Sequence, residues 1–311
     1  MKKLSRILVA ISILIGIAFI SNATAEAESN NAPYIGIAPA KASMELIPGQ
    51  TYTGSFQVTN PGEVDFDYTI SVKPYKVSGQ DYSKVFDVYS ANTLITDWVT
   101  LSSTKGHLEP HTASDMVFYT ITVPEEIKVC GQYAAIAATA EPKGGDESGV
   151  VNVTSAAMIV YAAVDNCDAG LDGNIKIIEN NVPTFLFTPP LTTTSLVENN
   201  SKVHVDGEYI LEVFPLFSDE AIYSNADEEH TSIIMPETKR MKAQKWENAP
   251  LIGIFKVRQT IKVYDQESVV EKIVIICPLW LIFLVIFAII MTVAWFRSRA
   301  KARKSNDKKY E

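Results

Sequence analysis

Polar and apolar positions alternate along most of this chain in short runs, with little helical periodicity. Stretches rich in Val, Ile, Thr, Tyr and Phe recur every 8–15 residues, punctuated by Pro, Gly, Asn and Asp, the spacing of an all-β protein. In 51–59, Tyr52, Gly54, Phe56 and Val58 share one face while Thr53, Ser55, Gln57 and Thr59 share the other. The pattern predicts strands at 34–37, 42–46, 51–59, 66–75, 99–101, 115–123, 132–140 and 151–164. A second series follows at 174–178, 185–187, 192–197, 204–214, 232–235, 252–264 and 269–276. Ile47-Pro48-Gly49-Gln50 and Asn60-Pro61-Gly62-Glu63 carry turn chemistry, with Pro fixing φ and Gly supplying positive φ. The expected fold is therefore two tandem Ig-like β-sandwiches, at 33–165 and 174–272, joined by the Asp/Gly/Asn-rich segment 165–173.

Two long apolar runs break this rhythm, one at each end. Lys2, Lys3 and Arg6 precede an apolar stretch at 7–20, and Ala23-Thr24-Ala25 supplies small residues for cleavage, so 1–25 reads as a secretion signal. Residues 273–296 carry no charge. At 1.5 Å per residue they reach roughly 36 Å, enough for a transmembrane helix. Residues 297–311 follow as a basic tail, which stays cytoplasmic under the positive-inside rule. The chain reads as a single-pass type I membrane protein with its sandwiches outside the cell.

Charge narrows the partners. Of 27 basic and 36 acidic residues, 17 and 34 fall between the signal and the span, a net charge near −17 outside. That excess excludes nucleic acid as a natural partner. Cys130 and Cys167 flank two apolar strands whose connection carries Gly144-Gly145-Asp146-Glu147-Ser148-Gly149, so a hairpin brings the two cysteines together as a disulfide. Cys277 lies beside Pro278 at the membrane boundary and reads as a small apolar residue, with acylation the alternative.

Ile37-Ala38-Pro39, Leu46-Ile47-Pro48-Gly49-Gln50, Phe56-Gln57-Val58-Thr59-Asn60 and Val123-Pro124 leading to Gly131-Gln132-Tyr133-Ala134-Ala135-Ile136 give the first domain its edges. With a second sandwich, one helix and a basic tail, this layout resembles the WxL-interacting proteins of Gram-positive bacterial surfaces. The resemblance implies peptidoglycan binding by the first domain and partner or host binding by the second. The family's Asn-Gln after the opening strand is absent.

Catalytic and metal chemistry find little support. His107 and His111 have the i, i+4 spacing of a metal pair, but Gly106 and Pro110 place them in a loop. Ser102-Ser103-Thr104-Lys105 meets the bare Ser-x-x-Lys pattern without the Ser-Asp-Asn and Lys-Thr-Gly elements its chemistry needs. No cofactor and no enzyme activity are expected. Asp168, Asp172 and Glu179, with Gly173, match positions 1, 5, 12 and 6 of a calcium loop, but position 3 is Gly170 and the continuation is strand-like, so the favoured reading is a plain interdomain turn with no metal, and a calcium ion stiffening the joint is the alternative. Tyr75, Tyr82 and Tyr89 cluster with Phe86 in a long segment between strands and are the candidate ligand-binding residues, while Trp98 reads as core. Asp227-Glu228-Glu229 reads as a solvated loop. The expectation is a non-catalytic surface protein binding cell-wall glycan or a surface protein. The alternative is an assembly protein that captures secreted subunits by strand pairing.

Overall fold

A computed structural model describes residues 33–141, 153–226 and 230–307. The signal segment 1–25, the glycine-rich turn at 144–149, Asp227-Glu228-Glu229 and the last four residues lie outside the described residues. The fold is all-β, two tandem Ig-like sandwiches followed by one apolar C-terminal helix.

The first sandwich contains β1 (Gly36–Ala38), β2 (Lys41–Leu46), β3 (Thr51–Asn60), β4 (Phe66–Ser78), β5 (Ser83–Phe86), β6 (Val99–Leu101), β7 (Lys105–Leu108), β8 (Thr112–Ala113), β9 (Val117–Thr122), β10 (Gly131–Glu141) and β11 (Ser155–Val164). One sheet runs β1-β3-β9-β6, with β8 also on β3. The other runs β2-β11-β10-β4-β5, with β7 also on β4. The alternation read in 51–59 places Phe56 and Val58 in the core, both fully buried, opposite Ile136, Met158 and Val160. Trp98 packs against this core, as its sequence context predicts. Strands β10 and β11 are apolar along nearly their whole length because their sheet is covered on both faces: by its partner sheet on one side and, over part of the other, by the second sandwich.

The second sandwich contains β12 (Ile175–Asn181), β13 (Phe185–Leu186), β14 (Leu191–Asn199), β15 (Val205–Pro215), β16 (Tyr223–Ser224), β17 (Thr231–Ile234), β18 (Thr238–Trp246), β19 (Gly253–Val263) and β20 (Gln266–Ile276). Its sheets are unequal: three strands in the order β12-β14-β18 face six in which β13-β20-β19-β15-β16 carry β17 on β15. Cys130, just before β10, and Cys167, just after β11, form the expected disulfide with Cα atoms 5.4 Å apart. It ties the start of the first hairpin to the segment that enters the second sandwich.

Helix α1 (Leu279–Asp307) starts six residues later than the apolar run suggests. Ile273–Ile276 belong to β20, with Val274 and Ile276 buried in the second core, so the sequence run merges a strand end with a span. Pro278 marks the switch. Its carbonyl accepts the amides of Leu281 and Ile282, and its missing N–H costs nothing at a helix start. Residues 279–297 form a helix long and apolar enough to cross a membrane, about 28 Å at 1.5 Å per residue.

The same corner closes both sandwiches. Asn60 ends β3 and donates its side-chain amide to the carbonyls of Val64 and Leu108, while its Oδ1 accepts the Gly62 amide. Asn199 ends β14 and does the same with Val203, Ile234 and Ser201. Both side chains are buried, so each amide replaces water for main-chain groups that turn away from the ladder. Asn60→Ala and Asn199→Ala should each cost about 1–3 kcal/mol in urea unfolding. The aspartate variants should cost more, because a carboxylate cannot donate to those carbonyls.

Candidate functional site

The segment between β4 and β5 does not present its aromatics as one surface. Antiparallel pairing of Tyr75 with Phe86 turns it into a hairpin whose tip reaches the second sandwich. There the Gln80 carbonyl accepts the Met241 amide at 2.8 Å. Tyr82, at φ 60°, puts its hydroxyl on the Met235 amide at 3.0 Å and on the Thr238 hydroxyl. The Arg240 guanidinium lies 4.5 Å from the Tyr82 ring centroid and donates to the Ile233 carbonyl.

Around this contact the two sandwiches share a small apolar core. Tyr75, Tyr133, Ala135 and Ile159 of the first pack with Ile233 and Met235 of the second. Tyr161 stands edge-on to Tyr75 and to Tyr133. The Tyr133 hydroxyl accepts the His204 amide at 2.9 Å and lies 3.3 Å from His204 Nδ1. Burial pushes the Tyr82 phenol up from the ordinary tyrosine range, and those of Tyr133 and Tyr161 well above it. These phenols stay neutral and serve as hydrogen-bonding contacts.

The three candidate tyrosines therefore part company. Tyr75 is 4% exposed in the shared core, Tyr82 bonds the second sandwich, and Tyr89 is 68% exposed outside the cluster. They form no common ligand platform, because two of the three are used in holding the domains together.

The residues of the alternative calcium reading are also spread apart. Asp168 caps the Gly170 amide and pairs with Lys202, Asp172 accepts the Tyr264 hydroxyl at 2.8 Å, and Glu179 sits on β12 opposite Leu196. No cluster of three metal-ligating side chains occurs among the described residues. The segment is a stapled turn. His107 is also displaced from its expected loop: it lies on β7, across from Asp67, with its Nδ1 2.7 Å from that carboxylate. His111 is separate, in a turn at φ 56° and 3.2 Å from Glu63.

Holding the sandwiches together leaves an open groove of about 650 Å³ beside the seam. Lys41 and Ser43 of β2 line one wall, and Asp206, Glu208, Lys262 and Tyr264 line the other. Strand β2 is the end of its sheet and pairs only with β11, in parallel. The amides of Ile159 and Asp165 donate to the carbonyls of Ala40 and Leu46, so the even-numbered residues of β2 bond β11. By alternation, the N–H and C=O of Ser43 and Glu45 point away from the sheet. Neither has a backbone partner among the described residues. The long edge strand β18 is closed by comparison. Gln80 and the Tyr223 hydroxyl occupy parts of its edge, and Lys239 and Lys245 guard it.

No protein-family model matches this chain, and no curated protein does. Solved structures of similar outline exist. The CsuC–CsuE chaperone–tip adhesion subunit pre-assembly complex from archaic chaperone-usher Csu pili of Acinetobacter baumannii aligns at 10% identity and a TM-score of 0.37, covering 77% of this chain and 98% of that one. The E. coli chaperone DraB aligns at 10% identity and 0.36, covering 77% and 97%. The ASH/PapD-like domain of human CEP192 aligns at 14% identity and 0.32, covering 48% and 97%. The geometry of the chain itself carries the functional reading.

His204 offers a test of the seam. Burial holds its imidazole below the ordinary histidine range, with Asp206 opposing weakly. The unfolded chain takes up this proton near pH 6.5, the folded chain only at lower pH. The His204 contribution to stability should be flat above about pH 6.5 and fall as pH drops below it. Urea unfolding from pH 7.5 to 5 should show a shallower loss in His204→Gln than in the parent. Equal slopes would place the acid sensitivity elsewhere.

Proposed function

We propose that this protein is a membrane-anchored, non-catalytic surface protein that holds an extended segment of a secreted or surface protein by strand addition. The observation that carries this reading is the outward main chain of Ser43 and Glu45 on the edge of β2, without a backbone partner among the described residues, in the wall of the interdomain groove. An added strand would bond Ser43 and Glu45 through its main chain, which gives affinity with little demand on sequence. The groove's mixed charge, Lys41 and Lys262 against Asp206 and Glu208, suits a peptide of alternating character better than a uniformly charged polymer. The glycan reading loses its main support with the tyrosine platform. The C-terminal helix would keep the captured partner at the outer face of the membrane.

Ser43→Pro tests this directly. Proline at an edge removes an outward N–H without touching the bonds of β2 to β11, so the fold should tolerate it. A photo-crosslinking residue at Glu45 of the full-length protein in cells should give a discrete adduct with a secreted protein. Ser43→Pro should weaken that adduct about tenfold, the effect of losing one interstrand bond and adding a ring clash. An adduct of unchanged yield, or no protein adduct together with saturable pelleting on purified peptidoglycan, would overturn strand capture; the second result would restore the glycan reading.

A further inference from the structure

The outer face of the six-stranded sheet changes character abruptly along its length. At the end nearest α1, Phe185 of β13 lies beside Ile275 of β20, which lies beside Ile254 of β19, and all three side chains are exposed. Ile273, Ile252 and Phe187 extend the same exposed apolar surface, and the Phe185 and Phe187 rings meet edge-to-face at 4.9 Å. Farther from the helix, the next outward-facing pair is Lys256 with Ile273, where Lys256 turns its ammonium to Asp219 at 2.9 Å, and then Arg258 with Glu271, 2.9 Å apart and joined by Glu212 at 3.8 Å. Thr260 with Val269 and Lys262 with Glu267 continue outward from there. The apolar zone runs from Ile252, at the entry to β19, to Ile254 and from Ile275 to Ile273 on β20, on the order of 7 Å at 3.4 Å per residue, and Lys256 bounds it.

Its position decides what covers it. Ile276 ends β20 and Leu279 starts α1, so two residues separate the patch from a helix long enough to cross a bilayer. The Cys277 amide donates to the Leu186 carbonyl at 2.9 Å, which sets Phe187 level with the helix start. Trp280, in the first turn of the helix, is exposed, as an interfacial indole would be. A domain tethered this closely has no room to lift its end clear of the lipid. The depth of the apolar zone matches the 5–10 Å to which interfacial elements sink.

We infer that the second sandwich is seated in the bilayer interface. Phe185, Phe187, Ile252, Ile254, Ile273 and Ile275 enter the headgroup–acyl boundary, and Lys256 with Asp219, followed by the Arg258–Glu271 pair, marks the water line. The inference rests on reading α1 as a membrane span. It adds that the span is continued by a lipid-embedded sheet edge, which fixes the tilt of the ectodomain.

Full-length protein carrying Cys277→Ser tests it in phosphatidylcholine nanodiscs, with spin labels placed one at a time at Phe187→Cys, Ile252→Cys, Thr260→Cys and Leu284→Cys. The collision-based depth parameter should be positive at 187 and 252, as at 284, and should turn negative at 260. Water-exposed labels at 187 and 252, with 284 in lipid, would overturn the seat and leave the span standing. A water-exposed label at 284 would overturn the span, and the seat with it. Protection at 187 and 252 that vanishes when each nanodisc holds one protomer would assign the patch to a second copy of the chain, and so overturn the seat.

Discussion

A tyrosine hydroxyl buried between two domains must be hydrogen-bonded, or the interface loses more than it gains from the ring. Here Tyr82 and Tyr133 each bring a hydroxyl from the first sandwich to a main-chain amide of the second, Met235 and His204. These bonds are directional in a way that apolar packing is not, so they select one relative orientation from the many that Ile233 and Met235 alone would allow. The groove beside β2 exists only in that orientation, since its walls come from different domains. The disulfide adds a covalent limit at the point where the chain passes from one sandwich to the next.

The strands that were legible in the sequence are those whose inward residues are apolar. Alternation located β3, β9, β14, β15 and β19, and β-rich apolar runs located β10 and β11. Strand β18 left no such trace. Its inward positions are Thr238, Arg240, Lys242, Gln244 and Trp246: four polar residues before one core aromatic, with Gln244 bonding a carbonyl of the facing sheet and Arg240 covering the Tyr82 ring. Short strands such as β5 and β8 are made by pairing with a long neighbour and carry no pattern of their own. The span was placed too early because β20 and α1 are both apolar and only Pro278 separates them.

The seam was illegible for a different reason. Tyrosine is common on binding surfaces and on interdomain surfaces alike, and the choice depends on what the fold places opposite it. One signal was available: Val58-Thr59-Asn60 and Val197-Glu198-Asn199, each followed four residues later by valine, mark the same corner in both halves. Aligning the halves on that repeat sets the hairpin of β4 and β5 against that of β15 and β16, so Tyr75 and Tyr82 sit on the first domain's copy of a hairpin both halves share. The calcium-like spacing failed because a ligand loop needs its carboxylates to converge, and a strand beginning at Ile175 carries Glu179 away from Asp168 and Asp172.

The pairing of β19 with β20 is in register over eleven residues, from Gly253–Ile276 to Val263–Gln266, and β20 leads straight into α1. Tension applied through α1 would therefore pull along β20. Pulled lengthwise, the rungs of that ladder share the load and break together, whereas a strand peeled from its end gives way one rung at a time. Loaded through α1, the second sandwich behaves as a joint in shear, which resists a pull along β20 without unzipping.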